Sequence, residues 1–78
     1  DDGYHMGVFI CLGQHIHEVS PADALPFTQF GSFSEITNYM ENHNKVFVFL
    51  SNSTHKIKRK AEQTACEKAL RFFTEEDN

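Results

Sequence analysis

Two short runs of unbroken apolar residues set the first limit on what this 78-residue chain can fold into. Residues 6–12 read MGVFICL, and residues 45–50 read KVFVFL, apolar from Val46 onward. Each is far shorter than the ~20 apolar residues a membrane-spanning helix needs. Each is also rich in branched and aromatic side chains, which favour strands. A continuous apolar run of this length predicts a strand buried on both faces. Val8, Ile10 and Leu12 then alternate with Phe9 and Cys11, and Val46, Val48 and Leu50 with Phe47 and Phe49. If helices cover one face of the sheet, the other is either an interaction surface or is covered by a phenylalanine-bearing loop at residues 27–33.

The intervening sequence supplies the other elements. Gly13-Gln14 suits a two-residue hairpin turn, and HIHEV at 15–19 alternates like a half-exposed second strand. Ser20-Pro21-Ala22-Asp23 carries helix-start chemistry, but Pro26 limits that helix to about one turn. Ser32-Phe33-Ser34-Glu35 fits a capping box opening a helix with Ile36, Tyr39 and Met40 on its apolar side. Asn42-His43-Asn44 provides its end, because asparagine tolerates the left-handed cap conformation. SNST at 51–54 reads as a polar turn that supplies a cap for the last helix. A final helix is predicted from about Lys56 to Phe73, with Ala61, Ala65 and Ala69 at every fourth position and Ile57, Cys66, Leu70 and Phe73 widening the stripe. The expected class is α+β: a small antiparallel sheet packed against helices, in one domain over 1–78, with acidic ends at 1–3 and 74–78 that are expected to be flexible.

Charge narrows the function classes. The net charge is −4, with 7 Lys+Arg against 11 Asp+Glu. Five of the acids, Asp1, Asp2, Glu75, Glu76 and Asp77, lie at the two ends, so the body is slightly basic. Lys56, Lys58, Arg59 and Lys60 fall within five positions at the start of the predicted last helix. Helix starts prefer acids, so cations there cost a few tenths of a kcal/mol each. Backbone amides and several cations at one helix end favour an anion. A run of cations without a glycine-rich loop suits a phosphodiester backbone better than a single phosphate.

The segment Lys58–Leu70, KRKAEQTACEKAL, resembles the final helix of double-stranded-RNA-binding domains, most closely those at the tail of ribonuclease III enzymes. The basic pair Lys58-Arg59, the run Ala61-Glu62-Gln63, then Ala65, and the closing pair Ala69-Leu70 carry the resemblance. It implies a helix packed by its alanines on a three-stranded sheet, with Lys58 and Arg59 touching phosphates across a major groove. Lys56 and Lys60, neighbours without a strict counterpart in the family, are expected to touch phosphates as well, with His55 and Ser53 assisting. Other features depart from the family pattern: no helix pattern precedes residue 6, no GPxH-like loop is present, and residues 20–44 insert a turn and a helix. Duplex RNA recognition spans two minor grooves and the major groove between them. The resemblance therefore implies weak, sequence-independent binding of double-stranded RNA by a divergent version of the domain, cellular or viral, accessory to a ribonuclease III-type protein. The alternative is the same fold serving as a protein-interaction module, as a homodimer or docked to a nuclease domain.

No catalytic constellation is expected. Glu18, Asp23, Glu35, Glu41, Glu62 and Glu67 are scattered, and no P-loop, G-x-S-x-G or H-E-x-x-H motif occurs. Cys11, His15 and His17 give a C-x3-H-x-H spacing, with His5, His43, His55 and Cys66 elsewhere. Zinc needs three or four converging ligands, and Cys11 and Cys66 are expected on apolar sides, so neither a metal nor a cofactor is expected. Two widely spaced cysteines fit a reduced, intracellular protein, cytoplasmic or nuclear. No membrane association is expected.

Overall fold

A computed structural model describes residues 3–76, with the side chains of residues 74–76 excepted. Of the acidic ends expected to be flexible, residues 1–2 and 77–78 lie outside the described residues, whereas the backbone of residues 74–76 is helical. The strands are β1 (Tyr4–Leu12), β2 (Leu25–Pro26) and β3 (Val46–His55), and the α-helices are α1 (Phe33–His43) and α2 (Lys58–Glu76). Single 3-10 turns occupy Ile16–Glu18, Pro21–Asp23 and Phe27–Gln29. The three strands form one sheet in the order β1-β3-β2, so the α+β class stands. The sheet is mixed rather than purely antiparallel, because β2 runs parallel to β3, with Leu25 beside Val48 and Pro26 beside Phe49. Pro26 lacks an amide proton, and an edge strand is where a sheet tolerates that loss.

The chain divides into two compact units. One spans Phe9–Phe49 and is built from rings. Phe9 stacks on Phe47 at 5.1 Å and meets Phe49 edge-on at 5.5 Å, and Phe27 packs against Phe33 at 5.1 Å. Phe27, Ile36, Val46, Phe47 and Val48 are buried. Both parities of β3 are thus closed here: Val46 and Val48 on one, Phe47 on the other. The open apolar sheet face considered from sequence is not present at these positions of β3, but the expectation that β1 is buried on both faces fails: none of its residues is buried and Leu12 is 43% exposed.

Two local readings of this unit change. Residues 15–19 form a turn, not a strand. The Glu18 amide donates to the His15 carbonyl at 2.9 Å, and the Glu18 carboxylate accepts from the His15 amide at 3.1 Å. Those bonds satisfy locally what a strand ladder would have supplied. Ile16 stays 59% exposed, so the alternation was not a burial pattern. Gly13 therefore ends β1 without a hairpin. Its φ is +77°, and a Cβ there would collide with the Asn44 carbonyl, which is why glycine stands at that position.

Other signals hold. The Ser20 hydroxyl accepts from the Ala22 amide at the Pro21–Asp23 turn. The Ser32 hydroxyl accepts from the Glu35 amide at 3.2 Å and caps α1, which is one half of the expected capping box. Asn44 ends α1 in the left-handed region at φ 66°, its amide donating to the Met40 carbonyl.

The other unit comprises residues 3–8 with residues 50–76. Here the sequence expectation of a turn at 51–54 fails, because β3 continues to His55. The reason lies in the hydroxyls. Ser51 donates to the Ala65 carbonyl, and Ser53 donates to the Ala61 carbonyl. Residues two apart on a strand are separated by ~6.7 Å, and carbonyls four apart on a helix by ~6 Å. The two spacings match, so two serines dock α2 along β3 in the antiparallel sense. Ala61, Ala65 and Ala69 are 0%, 0% and 4% exposed, and their small size lets the helix backbone come within hydroxyl reach. Ile57, Cys66, Leu70 and Phe73 do not widen that stripe; all four are exposed, lying off the alanine face.

Candidate nucleic-acid interface

The start of α2 is set by Ile57 rather than by the SNST segment. The Ile57 carbonyl accepts from both the Lys60 and the Ala61 amides at 3.1 Å. The Ile57 amide donates to His55 Nδ1 at 2.9 Å. The Lys58 and Arg59 amides precede the first full helical bond, where a helix has donors left over. Lys58, Arg59 and Lys60 are the first three residues of the helix, and its first turn holds no acid.

Lys56, Lys58, Arg59 and Lys60 are all exposed, and among the described residues none of the four is ion-paired. Lys68 is used differently: its ammonium donates to the Asn52 carbonyl at 3.1 Å and ties α2 to β3. His55 is half-buried, and its Nδ1 accepts the Ile57 amide, so the neutral ring carries its proton on Nε2. Ser53 stands apart from the cations in role. Its hydroxyl proton goes to Ala61, so its place is in docking α2. The residues expected at the site thus separate into four free cations, one histidine ordering the helix start and one serine beneath it. Four exposed cations beside amides that lie outside the helical ladder have the chemistry to attract an anion.

The metal-ligand spacing read from sequence does not gather. The His15 and His17 rings stack on each other at 5.3 Å in the 3-10 turn, and the Cys11 thiol donates to the Gln14 carbonyl at 3.4 Å. Among the described residues no group of three or more His, Cys, Asp or Glu is placed to hold a metal ion. No helix among them is long and apolar enough to cross a membrane.

Sequence reading did not anticipate two concavities in the Phe9–Phe49 unit. One, of about 340 Å³, carries Glu18, Asp23 and Lys45 beside Val46 and Phe47. The second, of about 320 Å³, lies along α1 and is lined by Phe30, Tyr39 and His43 with amide side chains. Its signal in the sequence was the i, i+4 pair Tyr39 and His43. Tyr39 read as core because Ile36 and Met40 flank the same turn. No family model, no curated protein and no solved structure matches the chain.

Proposed function

We propose that this chain binds double-stranded RNA through phosphate contacts from Lys56, Lys58, Arg59 and Lys60, with His55 alongside. Binding is independent of base sequence, because phosphate contacts position a protein without reading bases. The observation that carries this reading is the unpaired set of four exposed cations at the opening of α2. Such an arrangement works against the helix dipole, and an external polyanion offsets that cost. The resemblance of residues 58–70 to the last helix of ribonuclease III tails supports duplex RNA as that polyanion. It also supports an accessory, non-catalytic role in an RNA-processing protein inside the cell. The test is a duplex RNA titration at two salt concentrations. Four phosphate contacts give a log–log salt slope of about −3 to −4. A Lys58→Glu/Arg59→Glu variant loses most of the affinity and flattens the slope; an unchanged affinity removes the phosphate assignment.

A second reading, a protein-interaction module, is favoured by a different observation. Ile57, Leu70 and Phe73 are 52%, 59% and 43% exposed on or beside α2. Large apolar side chains on one helix suit a homodimer or a dock against a nuclease domain. Sedimentation over a concentration series separates the homodimer from the RNA-only reading: a constant monomer mass at high concentration excludes it.

A further inference from the structure

The groove along α1 has a chemistry of its own. Glu35, Asn38, Tyr39, Asn42 and His43 fall at i, i+3, i+4, i+7 and i+8, so they share one side of the helix. Tyr39 and His43 stack nearly parallel, with centroids 3.9 Å apart and planes 10° apart. Phe30 closes the other end, meeting Tyr39 at 90° and 5.4 Å. His43 is exposed, so an aromatic platform ends in a ring that solvent can reach.

The hydrogen bonds orient the polar groups. His43 Nδ1 lies 3.0 Å from the Tyr39 carbonyl. A carbonyl can only accept, so Nδ1 carries the proton and Nε2 is presented outward as an acceptor. The Asn42 amide nitrogen donates to the Asn38 carbonyl at 3.1 Å, which leaves its oxygen to accept. Gln29 adds a second amide and Glu35 a carboxylate. The groove therefore offers acceptors next to a flat ring, in a space of about 320 Å³. Glu35 makes it a poor place for phosphate.

We infer that the α1 groove binds one unstacked nucleobase, laid on the exposed His43 ring of the His43–Tyr39 stack with an N–H-bearing edge toward the neighbouring Asn42 side chain. A base meets each requirement: a planar π-face for the platform, and exocyclic amines for the acceptors. The inference extends the RNA reading from phosphates to an unpaired base, such as one in a bulge or loop. Its test works without phosphate, so the two ideas fail separately.

The probe is adenosine, a neutral nucleoside, titrated into the isotope-labelled chain while the ring resonances of Phe30, Tyr39 and His43 are followed. Saturable shifts confined to those rings are expected, with none from ribose alone. His43→Gln keeps a polar amide but removes the ring face, and it weakens adenosine binding by about tenfold, the size of one lost stacking contact. Lys58→Glu/Arg59→Glu leaves adenosine binding unchanged. Absence of shifts overturns the site, as does an unaltered affinity in a folded His43→Gln variant. Equal shifts from ribose identify a sugar site and also overturn the base.

Discussion

The two units of this small chain close their interiors by opposite means. Residues 9–49 fill space with rings: Phe9 on Phe47, Phe27 on Phe33. Residues 3–8 and 50–76 instead remove side-chain bulk, bringing three alanines and two serine hydroxyls against a helix backbone. The first arrangement is sensitive to loss of volume. The second is sensitive to its gain. A chain with few core residues can thus hold a long helix without large apolar side chains, provided that hydroxyls reach its carbonyls. The outer side of that helix remains free for charge.

Four substitutions test this contrast, and the largest effect belongs to the aromatic unit. Phe27→Ala removes a ring that is 7% exposed and should cost about 3–5 kcal/mol in urea unfolding. A cost below 1 kcal/mol would mean that the ring is not holding the unit. Ala65→Leu adds volume where none is available and should cost about 1–3 kcal/mol, with α2 displaced from β3. A neutral result there would break the idea of a bulk-excluding interface. Ser51→Ala deletes one donor while the Ala65 carbonyl keeps its place in the helix, so a loss of about 1 kcal/mol is expected. The smallest effect has the opposite sign. Lys58→Glu places an acid in the first turn of α2 and should stabilise the fold by about 0.3–1 kcal/mol. Measured together, a higher melting temperature and weaker RNA binding would identify these cations as serving a ligand rather than the fold.

Much of the local structure was legible because its causes are local. Ser32 before α1, Asn44 after it and Ser20 at the short proline turn act through bonds to residues within four positions. The alanine repeat also read correctly, since period four marks one side of a helix. The misreadings have different causes. His15–Val19 looked like a strand by alternation, but the Glu18 carboxylate captured the His15 amide first. Residues 51–54 looked like a turn by composition, whereas their hydroxyls answer carbonyls eight and fourteen residues away. The cation cluster was visible as a run in the sequence. The groove on α1 was not, because Phe30, Tyr39 and His43 converge only after the 3-10 turn at Phe27–Gln29 folds back.

The sequence by itself determined the apolar strands, the capped helix α1, the alanine side of α2 and the concentration of positive charge at its start. These depend on periodicity and on bonds between near neighbours. Only the tertiary structure decided that polar Ser51 and Ser53 belong to a strand, that Leu70 and Phe73 remain outside, and that β2 pairs in parallel. The physical reason is that a hydroxyl or a two-residue strand has no preferred setting of its own. Its state is fixed by the partner group that distant parts of the chain bring within hydrogen-bond reach.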